Sequence, residues 1–145
     1  MPNSPRSRVL FVCLLLLSAA PARAASFTGE LDPSPFDAAT KADTAGIGEI
    51  SATLDGQILT INGKFSGLSS LATAAHLEMG LAEGVKGNAI ADLSAARAMA
   101  GAIGGKVTLT RAQVEAAKKN ALYVQIDSEK SPDGNLWGWL EISGN

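Results

Sequence analysis

One histidine and two carboxylic acids are the residues of this chain whose types and spacing suggest a shared site. His76 and Glu78 are two positions apart in an alternating segment, so both side chains project from the same face of a strand. Asp127 lies in a second alternating segment and joins them if the two strands pair. One imidazole and two carboxylates can ligate a divalent metal ion. The alternative is a solvated, hydrogen-bonded pair on an exposed strand face.

Two tryptophans form a second candidate site. Trp137 and Trp139 alternate with apolar residues and therefore share one face of a strand, and Tyr123 lies beside them if the neighbouring strands pair. Exposed aromatic rings of this kind can bind a sugar or a protein partner. The alternative is that both indoles cover a second side of the core.

The sequence contains no recognisable catalytic motif. It has no Gly-x-Ser-x-Gly segment, and its single histidine is His76. Glu78, Asp127 and Glu141 remain candidates for paired carboxylates in glycoside hydrolysis, although no spacing marks them. We therefore expect a protein that is not an enzyme and needs no cofactor, with a bound divalent metal ion as the alternative.

The N-terminal residues have the composition of a secretory signal peptide. Arg6 and Arg8 precede an apolar run over residues 9–17, and small residues follow up to Ala22 and Ala24. The run is shorter than the roughly 20 apolar residues that a membrane-spanning helix needs, and no later stretch is longer or more apolar. We expect cleavage after Ala24, export to the periplasm or the medium, and no permanent membrane span.

The charge of the chain restricts its partners. The precursor carries a formal net charge of −2, with twelve Lys and Arg against fourteen Asp and Glu. Three of the basic residues precede the expected cleavage site, which leaves nine against fourteen and a net charge near −5. Nucleic-acid binding depends on clustered Lys and Arg, so nucleic acid is excluded as a partner. A protein or a component of the cell envelope is expected instead.

Short alternating segments separated by turn residues predict about seven strands in one domain over residues 25–145. The strongest signal is a hairpin in which Glu49–Leu54 and Gln57–Phe65 flank the turn pair Asp55-Gly56. Helix propensity indicates a helix within Ala91–Ala102, and Thr110 has the position of an N-cap for a helix up to about Lys119. The predicted fold is mainly β, an immunoglobulin-like antiparallel β-sandwich or barrel-like sandwich with one or two short helices.

Three segments, in this order, resemble the CHRD domain, a module first described in chordin and also found in exported bacterial proteins. They are Ala75-His-Leu-Glu78, Tyr123-Val-Gln-Ile-Asp127 and Pro132-Asp-Gly-Asn-Leu-Trp-Gly138, and the likeness extends from about residue 27 to residue 142. The resemblance implies an immunoglobulin-like β fold and export. The family usually has His-x-His on the earlier strand and Asn-x-His on the later one. Here His76 matches the first histidine, and Glu78, Gln125 and Asp127 occupy the other positions.

These observations predict a non-enzymatic binding or interaction module of the cell envelope or extracellular space. One alternative is a metal-binding accessory protein that uses His76, Glu78 and Asp127. A further alternative is a carbohydrate-binding or carbohydrate-active protein. The candidate binding residues are His76, Glu78, Tyr123, Gln125, Asp127, Trp137 and Trp139.

Overall fold

The computed structural model describes residues 23–35 and 37–144. The predicted signal peptide therefore lies outside the described residues, apart from its last two positions. The described residues form nine strands and one α-helix. Their bounds are β1 Ala25–Pro33, β2 Ile47–Asp55, β3 Ile58–Ser66, β4 Ala72–Met79, β5 Asn88–Ala95, β6 Gly101–Thr108, α1 Arg111–Lys118, β7 Leu122–Ser128, β8 Leu136–Trp139 and β9 Glu141–Ile142.

Eight of these strands form a closed antiparallel ring. Neighbours follow the order β2, β3, β6, β5, β4, β7, β8, β1, and the ring closes because β1 also pairs with β2. The short strand β9 continues the register of β8 along β1. The β3–β4 and β6–β7 connections each pass over two strands, which is a Greek-key arrangement. The mainly β, antiparallel, barrel-like fold is confirmed, with eight strands in the ring where about seven were predicted.

Alternate residues along the strands fill the interior of this barrel. In β3, Leu59, Ile61 and Phe65 are buried as predicted, whereas Asn62 and Lys64 face the solvent. Each large apolar side chain removed from water in this way contributes about 1.5–3 kcal/mol. Further fully buried members of the core are Phe27, Leu31, Leu77, Leu109, Leu122, Val124, Ile126, Leu136 and Leu140.

The predicted hairpin is confirmed, but its turn lies one residue further along the chain. Asp55 is the last residue of β2 and pairs with Ile58, so the two turn residues are Gly56 and Gln57. Gly56 has a φ of 60°. A positive φ at the first central position of a two-residue turn suits glycine, which explains why the glycine, and not Asp55, begins the turn.

The predicted helix within Ala91–Ala102 is wrong. The segment contains the end of β5, a turn and the first residues of β6. Helix propensity is a weak preference that tertiary contacts override. Here β5 pairs with β4, and its alternation places Leu93 in the core and Asp92 in solvent. The buried position of Ile103 in β6 follows the same period of two.

The second predicted helix is confirmed as α1, which lies in the connection between β6 and β7. Thr110 accepts a hydrogen bond from the backbone N–H of Gln113, and the Gln113 side chain accepts one from the backbone of Thr110. This reciprocal capping box satisfies two amide groups at the start of the helix. Ala117 packs its methyl group against the core. Among residues 23–35 and 37–144, no helix has the length and apolarity to span a bilayer.

Candidate functional site

The outer surface of β5, β4, β7 and β8 brings all seven predicted site residues onto one face, which we call the outer polar face. In one row across the strands Asp92 pairs with His76, His76 with Gln125 and Gln125 with Trp137. In the row on one side of it, Glu78 pairs with Tyr123 and Tyr123 with Trp139. Asp127 lies on the other side of the His76 row, where it pairs with Ala74. Side chains of directly paired residues on one face are neighbours, so the strand register creates the cluster.

His76 lies between two carboxylates of the outer polar face. Its Nδ1 atom is 3.0 Å from Oδ1 of Asp92, and its Nε2 atom is 3.2 Å from Oδ2 of Asp127. A protonated imidazole donates to both carboxylates, whereas a neutral one donates to only one of them. The histidine side chain is 25% exposed and that of Asp92 is 92% exposed. His76 therefore joins β5 to β7 across β4.

Asp127 is a buried carboxylate with two protein partners. Gln125 donates a hydrogen bond from Nε2 to Oδ1 of Asp127 at 2.9 Å, and His76 contacts the other oxygen. Burial raises the pKa of Asp127, and the hydrogen bond from Gln125 and the charge of His76 offset part of this rise. Because its oxygens already have partners, this carboxylate acts mainly as a tie within the sheet.

Tyr123 and Glu78 form a second buried pair. The Tyr123 hydroxyl donates a hydrogen bond to the Glu78 carboxylate and accepts one from the backbone N–H of Gly87 at 2.9 Å. Tyr123 has no exposed surface and Glu78 is 5% exposed. Burial, followed by the hydrogen bond to Glu78, raises the pKa of Tyr123 to about 12. The Tyr123 hydroxyl is thus occupied on both its donor and its acceptor side.

The three predicted metal ligands are not gathered around one point. His76 and Asp127 are in contact, whereas the Glu78 carboxylate is hydrogen-bonded to Tyr123. In the part of the chain that the structure describes, no group of three or more His, Cys, Asp or Glu residues has an arrangement that could hold a metal ion.

The two tryptophans pack around Tyr123 on the outside of the barrel. The Trp139 ring centroid is 4.4 Å from that of Tyr123, and the Trp137 centroid is 5.9 Å from it in an edge-on arrangement. The two indoles are 5.9 Å apart with their planes at 66°. Tyr123 is buried beneath this cluster, while both indoles stay partly exposed. Of the three aromatic residues, the tryptophans are thus the ones that a ligand can reach.

Beside the tryptophans lies a groove of about 840 Å³ on the outer surface of β1, β2 and β3, which we call the outer groove. Trp137 and Trp139 form its edge on β8, and three glycines lie beneath it: Gly29, Gly63 and Gly138. The exposed carboxylates that line it are Glu30, Asp32, Glu49 and Glu141. Lys64 is the lysine among these lining residues, and its Nζ atom is 3.1 Å from Glu49. Four acids and one base give the outer groove a formal charge of −3.

A second pocket of about 550 Å³ lies on the other side of Trp137. Residues from three loops surround it, which lie between β1 and β2, before β5, and between β7 and β8. Lys86 in the loop before β5 donates a hydrogen bond at 3.0 Å to the carbonyl of Asp133 in the loop between β7 and β8. Gln125 also lines this pocket but is only 5% exposed. Trp137 is therefore shared by both concave surfaces.

Sequence reasoning located the outer polar face but missed Asp92 and the outer groove. Asp92 fell within the segment wrongly expected to be helical, so its pairing with His76 was not foreseen. Glu30 and Asp32 become neighbours of the tryptophans only because β1 pairs with β8 and closes the ring. The usable signal was the alternation in β1 itself, which places Glu30 and Asp32 on the outward side.

The fold and the site together define a small Greek-key β-barrel protein with an aromatic-edged, acidic groove on its outside. The CHRD domain model matches residues 27–140, and the chain belongs to this family. The match confirms the resemblance drawn from the three sequence segments. No curated protein and no solved structure gives a significant match.

Proposed function

We propose that this CHRD domain is a non-enzymatic binding module of the cell envelope or extracellular space, and that its partner occupies the outer groove. The observation that carries the proposal is the groove itself. Its volume of about 840 Å³ lies within the roughly 300–1,000 Å³ that is usual for ligand sites. Partly exposed indoles at its edge are the side chains most often found at the energetic centre of an interface.

The outer polar face supports the outer groove as the binding site, because the polar side chains of this face are paired or hydrogen-bonded with one another. His76, Asp127 and Gln125 form one chain of contacts, and Glu78 and Tyr123 form another. Within residues 23–35 and 37–144, no buried side-chain nitrogen or oxygen lacks a hydrogen-bond partner. A ligand that replaced these contacts would leave buried polar groups unsatisfied.

The closed ring also limits how a partner can bind. A peptide often adds itself as an extra strand to an open sheet edge. In the described residues every strand of the ring has a paired neighbour on both sides, although β5 and β6 pair only at Ser94–Gly104 and Ala95–Ile103. Strand addition is thereby confined to that short seam, whereas the outer groove is a concave surface open to a partner.

The test is site-specific photo-crosslinking in the producing cell. A photoreactive amino acid replaces Ser51, which is exposed and lines the outer groove, or Lys106, which is exposed on β6 outside it. We expect a discrete adduct from position 51 and not from position 106. Trp137→Ala should abolish this adduct, while Met99→Ala, which truncates a 52% exposed side chain outside the groove, should retain it. Equal labelling from both positions, or no adduct from position 51, would refute the proposal.

A further inference from the structure

We propose that the occupant of the outer groove is an extended, Lys- or Arg-containing segment of a partner protein. This inference rests on the proposed function and names the chemistry of the ligand. Three features of the groove favour this ligand: its charge, the position of that charge beside the indoles, and its length along β1.

The charge of the outer groove is negative and largely uncompensated. Lys64 pairs with Glu49, which leaves Glu30, Asp32 and Glu141. In the part of the chain that the structure describes, no ion pair involves these three carboxylates. Like charges collected on one concave surface attract a ligand of opposite charge and repel one of the same charge. An anionic ligand is therefore disfavoured.

A neutral ligand is also a poor match. Covering exposed carboxylates with a ligand that carries no positive charge removes their water without replacing it by a charged partner, and that desolvation opposes binding. A neutral sugar would gain contact with the indoles but would meet this cost at Glu30, Asp32 and Glu141. An ammonium or guanidinium group compensates it, because each forms charge-assisted hydrogen bonds with a carboxylate.

The position of the tryptophans favours the same kind of ligand. Asp32 on β1 pairs directly with Trp137 on β8, so a carboxylate and an indole stand side by side at the edge of the groove. The face of an indole attracts a cation, and more strongly than the other aromatic rings do. Carboxylate and indole together suit the positively charged end and the methylene stem of a Lys or Arg side chain.

The length of the groove suits an extended segment more than a single amino acid. It is lined along β1 from Thr28, which pairs with Glu141, to Asp32, which pairs with Trp137. Four steps along a strand at about 3.3 Å each cover roughly 13 Å. A short stretch of extended peptide with basic residues at alternate positions matches this distance and presents its charges to one surface.

The two tryptophans of the chain are both at the outer groove, so their fluorescence reports its occupancy. The probe is a capped six-residue peptide of alternating Gly and Lys, compared with Gly/Gln and Gly/Glu peptides and with a neutral hexasaccharide. We expect a saturable change in indole fluorescence with the Lys peptide. Its affinity should fall as salt is added, because exposed charges are screened.

The matched variants carry the same change of charge at different places. Glu30→Gln combined with Asp32→Asn removes two carboxylates from the groove, and we expect binding of the Lys peptide to weaken by about three- to tenfold. Glu115→Gln combined with Asp55→Asn removes two carboxylates outside it and should leave the affinity unchanged. Circular dichroism identical to that of the wild type establishes that each variant is folded.

Several outcomes would overturn the inference while sparing the proposed function. Equal binding of the Lys and Gln peptides would do so, as would affinity that is unaffected by salt or by Glu30→Gln with Asp32→Asn. Binding of the hexasaccharide without the Lys peptide would make the occupant a carbohydrate. No response to the Lys peptide, together with a position-51 adduct in cells, would refute the basic-peptide ligand alone. Absence of that adduct would refute the proposed function.

Discussion

At the scale of single residues, the polar side chains of the outer face act as ties between strands. His76 connects Asp92 on β5 with Asp127 on β7, and Tyr123 on β7 holds Glu78 on β4. A buried carboxylate is costly unless it is hydrogen-bonded. These contacts satisfy that requirement. The ionisation of Tyr123 can be followed by absorbance, because the chain has a single tyrosine.

The ionisation of Tyr123 is the first prediction at this scale. Since its pKa is raised to about 12, the folded protein keeps the phenol proton that an unfolded chain releases near pH 10. The free energy of unfolding should therefore fall as the pH rises from 10 to 12. Ultraviolet titration of the single tyrosine should show phenolate forming about two pH units later in the native protein than in denaturant.

Glu78→Gln provides the control for the cause of this shift. The substitution removes the negative charge but keeps a hydrogen-bond acceptor, so the pKa of Tyr123 should fall and yet stay above 10, because burial is the larger cause. If the Tyr123 phenolate forms at the same pH in native and in denatured protein, the Tyr123 hydroxyl is not buried.

The second prediction concerns Asp127, whose pKa is raised by burial. Between the ordinary carboxyl pKa and the raised one, the folded protein binds more protons than the unfolded chain. The contribution of Asp127 to the free energy of unfolding is therefore present at low pH and is lost as the pH rises through that window. Asp127→Asn should remove this part of the pH dependence in urea unfolding measured between acid and neutral pH.

Asp92→Asn is the matched control for Asp127→Asn. Asp92 contacts the same histidine with a side chain that is 92% exposed, so this variant tests the loss of a carboxylate beside His76 separately from burial. The free energy of unfolding of the wild type and of Asp127→Asn could instead depend on pH in the same way across the acid range. That result would contradict burial as the main cause of the raised pKa of Asp127.

At the scale of elements, alternation predicted the outer polar face well. The period of two in β4 places His76 and Glu78 on one side, and Asp127 on β7 joins them because the two strands pair, as the prediction required. The same reasoning failed for β5, because its alanines favour a helix locally and only pairing with β4 and β6 makes the segment a strand. The strand neighbours β1 and β8 are distant in sequence, so no local pattern could show the outer groove.

The seam between β1 and β8 is where the third prediction applies. Gly138 faces the interior, where a Cβ atom would lie 2.5 Å from the backbone oxygen of Glu30 and 2.9 Å from Leu31. Gly138→Ala therefore forces the two strands apart, and we expect a loss of about 1–3 kcal/mol in the free energy of urea unfolding. Gly144→Ala, where a Cβ meets nothing within 4 Å, should be neutral.

The same substitution links the seam to the groove. Since Gly138 lies under the outer groove between the two tryptophans, Gly138→Ala should also change the indole fluorescence of the folded protein. Unfolding and fluorescence that match those of Gly144→Ala would show that β1 and β8 do not approach as closely as described.

At the scale of the whole molecule, closure of the barrel is what creates the binding surface. β1 supplies both the buried residues Phe27 and Leu31 and the exposed acids Glu30 and Asp32. The strand that completes the core thus also brings negative charge to the tryptophans of β8. Residues 25–145 carry nine Lys and Arg against fourteen Asp and Glu, and this net charge of −5 adds a long-range field of the same sign. Fold, charge and groove therefore all depend on an intact first strand.

This dependence leads to the fourth prediction, which concerns the N-terminus. The small residues Ala22 and Ala24 predict cleavage before Ala25, and Ala25 is also the first residue of β1. Cleavage there would leave the whole of β1 on the mature protein. Intact-mass measurement of the exported product should give a chain that begins at Ala25. Ala24→Leu should block processing, because a large residue replaces the small one at the cleavage site, whereas Ser26→Ala, beyond that site, should not. A full-length chain that stays in the cytoplasm would contradict both the leader and the export.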